Sequence, residues 1–184
     1  MPTDDMLYAD FLAGNDSAFD ELMRRYGDNL TMYLKGYLAS FQDAEDMMIV
    51  AFSKIMFRRP KIREGNFKVY LFKTGRNLVS EFYKRKKKLE LFDFESLEDE
   101  PAAEEALDEH FWNEQRKKIL HECLGRIDDE TREAYWLVYF ENMSYEEAAT
   151  VMKVNVKKIN NLLTRGKDKI REELAKEGIE GFYQ

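Results

Sequence analysis

Ser144–Leu174, SYEEAATVMKVNVKKINNLLTRGKDKIREEL, reads with helical spacing as a short helix, a three-residue turn and a longer helix. Ser144 and Glu147 are spaced as a capping box: the hydroxyl accepts from a free backbone N–H, and the carboxylate reaches back to the cap's own N–H. Ala148, Ala149 and Met152 give the first helix a small, close-packing face. Lys153-Val154-Asn155 interrupts the pattern, and Asn155 is a good cap for the second helix. The outline is that of a helix-turn-helix.

From Val156 onward, Val156, Ile159, Leu163, Gly166, Ile170 and Leu174 recur at helical period on one face. The other face carries Lys157, Lys158, Asn161, Thr164, Arg165 and Lys169. Side chains that read base edges or clamp phosphates thus gather near the start of the second helix, where a recognition helix needs them. A plain solvated face of an amphipathic helix accounts for the same residues, so context has to decide.

The wider composition supplies that context. The 184 residues are 44% hydrophobic and 14% aromatic, which is enough for packed cores. Three prolines, nine glycines and frequent Leu, Met, Lys and Glu predict an all-α chain. A single cysteine, Cys123, excludes an internal disulfide and a cysteine-based zinc cluster. His110 and His121 have no partner at metal-ligand spacing, and no cofactor is expected. No apolar run approaches the ~20 residues that cross a bilayer, and the first residues do not read as a signal peptide. The expectation is a cytoplasmic protein with no membrane insertion.

The net charge of −7 alone argues against nucleic acid, but the charge is segregated. Residues 57–88 carry 12 basic and 2 acidic side chains, and residues 153–171 carry 7 basic and 1 acidic. These blocks stand at +10 and +6, leaving −23 for the remainder. Two basic blocks in an acidic chain predict two separate polyanion contacts.

In chain order, Asn15 or Asp16 is placed to cap a long helix. Phe19, Leu22, Met23, Tyr26, Leu30, Tyr33, Leu34 and Tyr37 form its broad buried face. Asp43 is expected to cap the next helix, with Met47, Met48, Val50, Ala51, Ile55 and Met56 mostly in the core. Asp43, Glu45 and Asp46 also read as a metal or acid–base cluster, but no histidine or second acidic motif supports that. Arg58–Asn66, RRPKIREGN, is a basic loop punctuated by Pro60 and Gly65. In the helix after this loop, Phe67, Tyr70, Leu71, Thr74, Leu78 and Phe82 line one face. Lys73, Arg76, Ser80, Tyr83, Lys84 and Lys87 line the other, with Asn77 at the boundary. A basic helix interleaved with aromatics suits melted nucleic acid, whose phosphates meet Lys or Arg and whose unstacked bases meet rings or a pocket.

From Leu89 to Glu109 there are ten acids and no Lys or Arg, the composition of a flexible linker. Such a tether either mimics a nucleic-acid backbone or simply solubilises. Beyond it, Phe111, Trp112, Ile119, Leu120, Cys123, Leu124 and Ile127 form an amphipathic pattern. Asp128 then caps a helix whose core face is Ala134, Tyr135, Leu137, Val138 and Phe140. The predicted organisation is a helical domain over 5–88, an acidic linker over 89–110 and a four-helix domain over 111–177 ending in the helix-turn-helix.

This order of parts resembles an extracytoplasmic-function (ECF, group 4) sigma factor of the sigma-70 family, along nearly the whole chain. Asp43-Ala44-Glu45-Asp46-Met47-Met48-Ile49-Val50-Ala51-Phe52 is similar to the family's region 2 pattern D-A-E-D-L-V-Q-E-T-F, with Ile49 and Val50 replacing Gln-Glu. Tyr70–Leu78, with Glu81, is similar to W-L-Y-R-I-A-R-N-L-x-x-D. Ser144, Tyr145, Glu146, Glu147 and Ala149 match region 4's S-Y-E-E-I-A. The recognition helix keeps Arg165, while Lys158 and Asn161 depart from the pattern.

The resemblance implies a promoter-specificity subunit that is not itself an enzyme. Its partners would be promoter DNA, core RNA polymerase (through the β′ clamp helices and the β flap) and an anti-sigma factor. It assigns polymerase binding to Asp43, Glu45, Asp46, Ile49 and Phe52. The -10 element and its melting fall to Arg58, Arg59, Lys61, Arg63, Lys73, Arg76, Asn77, Lys84 and Arg85. The -35 element falls to Lys157, Lys158, Asn161, Thr164 and Arg165. The alternative is an autonomous helix-turn-helix regulator that binds duplex DNA without polymerase, which leaves the basic aromatic helix and the acidic linker unexplained.

Overall fold

Every regular element of the computed structural model is helical among the described residues, which are 1–90 and 127–176 with the side chains of 88–90 and 173–175 set aside. The chain falls into two compact units, 1–105 and 106–184. Most of the acidic stretch 89–110 and the pattern from Phe111 to Leu124, including both histidines and Cys123, lie outside the described residues.

In the first unit, Thr3 caps α1 (Asp4–Leu12), its hydroxyl accepting from the Met6 N–H, and Asp4 and Asp5 occupy the favourable first turn. The expected helices begin only at residue 15, so α1 is an addition to them. Its signal is the Thr-Asp-Asp start followed by Leu7, Tyr8 and Phe11, all of them buried. α2 is one continuous helix, Asp16–Lys35. Asn15 stands at its cap position, but its Oδ1 accepts from the Ser17 hydroxyl at 2.7 Å rather than from a backbone N–H. α3 runs Phe41–Arg58, and its cap is Ser40, not Asp43. The Ser40 hydroxyl accepts from the Asp43 N–H at 3.0 Å, so Asp43 lies one turn inside.

α4 spans Phe67–Glu90. Its buried face differs from the expected one. Phe67, Val69, Leu71, Phe72, Leu78 and Val79 are in the core, whereas Tyr70 and Phe82 are exposed. α4 touches α1, α2 and α3, and burying against three neighbours takes more of its circumference than one stripe. Gly75 allows the close approach: a Cβ there would stand 3.1 Å from Leu30 and 3.2 Å from Leu34. Phe11, Phe52, Phe67 and Phe72 are fully buried, each contributing roughly 1.5–3 kcal/mol relative to an exposed ring.

In the second unit, Asp128 caps α5 (Asp129–Tyr135), accepting from the Thr131 N–H at 3.0 Å. The expected continuation gives way to a π turn over Trp136–Phe140, closed by the Glu141 N–H donating to the Trp136 carbonyl. The wider turn shifts the angular positions of these side chains, so Trp136 is buried while Val138 and Phe140 are only half-buried. Trp136 and Phe140 stack with centroids 4.6 Å apart. α6 (Tyr145–Met152) and α7 (Val156–Lys176) form the helix-turn-helix.

Candidate nucleic-acid interface

The helix-turn-helix is built as its sequence requires. The Ser144 hydroxyl accepts from the Glu147 N–H at 3.2 Å, and the Ser144 N–H donates to Glu147 Oε2 at 2.7 Å. α6 ends on Lys153, whose φ of 56° turns the chain in the left-handed region. Asn155 Oδ1 then accepts from the Lys158 N–H at 2.8 Å and starts α7. Ile159, Leu162, Leu163, Gly166 and Ile170 face the core, while Val156 is partly exposed.

Lys157, Asn161, Thr164 and Arg165 are exposed and spaced so that they share one stripe of α7. Lys158 is different. It is half-buried, and its Nζ donates to Glu130 on α5 at 2.6 Å. Thr164 also spends its hydroxyl proton locally, on the Asn160 carbonyl at 2.8 Å. Lys169 reaches back to Asp128 at 2.9 Å. Burial alone would raise the Asp128 pKa. Hydrogen bonds from Lys169 and Thr131, with the Lys169 charge, outweigh it and lower the pKa to about 2.

The second cationic surface lies on the first unit, around the loop 59–66 and along α4. Arg59 closes α3 with φ 43° and sets its guanidinium over the Phe11 ring, 4.9 Å from the centroid. The Tyr8 hydroxyl donates to the Pro60 carbonyl at 2.7 Å. Burial, with Tyr70 nearby, pushes the Tyr8 phenol above its ordinary value against the opposing charge of Arg59, so Tyr8 remains a donor at neutral pH. Arg58, Arg59, Lys61, Arg63, Lys84 and Arg85 are exposed, and Lys73, Arg76 and Asn77 are half-buried neighbours on α4. Aromatics are interleaved at the surface: Tyr70, Phe82 and Tyr83 on α4, and Phe57, 81% exposed, at the end of α3.

α3 presents Asp43, Asp46, Ile49, Val50 and Met56 to solvent, with Glu45 half-buried. Val50 and Met56 are therefore not the core residues expected of them. Phe52 is the opposite case and corrects its assignment to polymerase binding. Its side chain is fully buried, edge-on to Phe19 with centroids 5.9 Å apart, and has no surface to offer a partner. The acids of α3 belong to no group of three or more potential metal ligands among the described residues.

The description "Sigma-70 region 2" matches residues 22–89, and "Sigma-70, region 4" matches residues 117–170. The chain belongs to the sigma-70 family. Both regions stand in family order, and the relatives name the group. ECF RNA polymerase sigma factor SigE of Mycolicibacterium smegmatis is 24% identical over 164 residues, covering 89% of this chain and 64% of that one. RNA polymerase sigma factor CnrH of Cupriavidus metallidurans is 28% identical over 175 residues, covering 91% of this chain and 92% of its own. CnrH solved with the cytosolic domain of CnrY superposes with a TM-score of 0.65 at 23% identity, over 94% of this chain and 97% of that one. Sigma factor RpoE of Bartonella quintana, solved with the anti-sigma factor NepR, gives 0.60 at 22% identity, over 85% and 96%. The chain is an ECF sigma factor, a promoter-specificity subunit of RNA polymerase and not an autonomous helix-turn-helix regulator.

The loop and α4 belong to region 2, and α7 belongs to region 4. No helix among the described residues is long and apolar enough to cross a membrane.

Proposed function

We propose that this sigma factor grips a promoter at two places with two structurally separate surfaces. The exposed stripe Lys157, Asn161, Thr164 and Arg165 enters the major groove of the -35 element, where Asn suits adenine and Arg or Lys suits guanine. The basic loop and α4 take the -10 element. Arg58, Lys61, Arg63, Lys84 and Arg85 anchor phosphates, and a base lifted from the duplex is received beside Lys73, Arg76 and Asn77. Residues 5–88 serve as the polymerase and -10 part, 111–177 as the -35 part, and the acidic stretch 89–110 joins them.

The observation that carries the reading is that each unit presents its own cationic surface, one at a fastened loop and the other on a recognition helix. Core RNA polymerase binds α3 at Asp43, Glu45, Asp46 and Ile49, with the β′ clamp helices as the receiving surface. Catalysis belongs to the polymerase core. An anti-sigma factor is a further partner, as NepR is for the RpoE neighbour.

Reconstitution with purified core enzyme tests the reading. Promoter-specific transcripts are expected, losing intensity when either element is substituted. Absence of a complex with core enzyme, or transcription indifferent to both elements, would sink it.

A further inference from the structure

α1 lies ahead of the region 2 match, which begins at residue 22; it packs chiefly on α2 and also reaches the basic loop. Its two acids face different ways. Asp4 is held to α2, accepting from Arg25 Nη1 at 3.1 Å and from the Tyr26 hydroxyl. Asp5 is turned to the loop, where the Gly65 N–H donates toward both carboxylate oxygens at 2.9 and 3.0 Å. Three residues on, Tyr8 takes the Pro60 carbonyl at 2.7 Å and tilts its ring against Phe67 at 5.4 Å. Three further on, Phe11 lies under the Arg59 guanidinium at 4.9 Å.

Asp5, Tyr8 and Phe11 thus fasten the loop at 65, 60 and 59, both ends and not the middle. Both fastened ends hold unusual backbone, Arg59 at φ 43° and Gly65 at φ 73°. Between them Lys61 and Arg63 are exposed.

We infer that α1 is a brace that holds the loop in its DNA-binding shape, with Asp5 and Tyr8 as positioning residues for selectivity at the -10 element. The inference rests on the loop's being the -10 contact. A loop released from α1 would be competent for only a fraction of the time, and its apparent affinity would fall by that fraction. A released loop would also hold phosphates in shapes that make no base contact, and binding in those shapes does not separate the right base from the wrong one.

The test uses full-length protein, core enzyme and a promoter located by mapping the 5′ ends of its transcripts. Transcription is compared on the native promoter and on versions substituted at single -10 or -35 bases. Asp5→Ala and Tyr8→Phe are each expected to lower the -10 discrimination ratio by about tenfold. The -35 ratio and the affinity for core enzyme should stay unchanged. Asp5→Asn, which keeps an acceptor for the Gly65 N–H, should restore most of the ratio. An unchanged -10 ratio in both variants, beside a discriminating parent protein, overturns the brace alone. So does an equal fall at both elements accompanied by a lower melting temperature, because that is the signature of a merely structural helix. A parent protein that does not discriminate at -10 removes the reading of the loop, and the brace with it.

Discussion

Tyr135 fills the space that a side chain at Gly166 would need. A Cβ at Gly166 would lie 2.5 Å from Tyr135 Cε2 and 2.5 Å from Thr131 Cγ2. The Tyr135 hydroxyl donates to the Leu163 carbonyl at 2.8 Å, so the ring is anchored and cannot swing aside cheaply. α5 and α7 meet at this point, and it sets where the exposed stripe of α7 stands on its unit.

Gly166→Ala is therefore expected to destabilise the second unit despite alanine's better helix propensity. Overpacking costs ~1–3 kcal/mol, against a gain of about 1 kcal/mol from the helix. Tyr135→Phe should cost about 1 kcal/mol through the buried hydrogen bond alone. Thermal or urea unfolding distinguishes the two, and a more stable Gly166→Ala protein would contradict the packing.

Asp128 gives the same unit a specific acid sensitivity. Its pKa is lowered in the folded protein to about 2 from an ordinary 3.8. A depressed folded pKa contributes stability that is present above the unfolded value and is lost as pH falls through the folded one. The loss should run from about pH 4 to about pH 2. Asp128→Asn keeps a cap oxygen but should flatten that part of a melting-temperature profile, and Asp128→Ala should also lose ~1 kcal/mol from the cap at neutral pH.

On the recognition helix, Arg165 and Lys158 should behave differently. Arg165→Ala is expected to remove about 1–3 kcal/mol of discrimination at one -35 base pair. Lys158→Ala should do less, because Glu130 already holds that ammonium at 2.6 Å. Glu130→Gln frees it. Promoter affinity should rise, and the slope of log affinity against log salt should steepen by roughly 0.9, the contribution of one added phosphate contact. An unchanged slope would show that Lys158 does not reach the backbone.

α3 supplies a matched pair. Phe52 is fully buried and Ile49 is 48% exposed. Phe52→Ala should cost ~3–5 kcal/mol of stability through the cavity it leaves. Ile49→Asp should leave the melting temperature nearly unchanged, within about 0.5 kcal/mol. It should weaken core polymerase binding by about tenfold or more, the scale of a truncated interface residue. Titration of labelled core enzyme beside a melting curve reads both.

Much of this was legible in the chain because it depends on neighbours along the sequence. The Ser144–Glu147 box and the Asn155 and Asp128 caps are satisfied within a turn or two and formed as expected. Of the α7 face, Ile159, Leu163, Gly166 and Ile170 are buried while Val156 is exposed. The segregation of charge is likewise a property of order along the chain. The cap of α3 was a local signal too, the Ser40 hydroxyl accepting from the Asp43 N–H three residues on. The rotated face of α4 and the π turn at Trp136 were not legible, because each answers to packing against other helices.

By itself, then, the sequence determined that the chain is helical, where its cationic blocks lie and which side of α7 turns outward. Periodicity and capping need no distant partner. Only the tertiary structure decided which of those cations are presented and how. Lys158 is claimed by Glu130 from 28 positions away, and the loop is fastened by Asp5 from 60 positions away. A hydrogen bond across such a separation has no local signature, since it exists only after the chain has folded and brought donor and acceptor together.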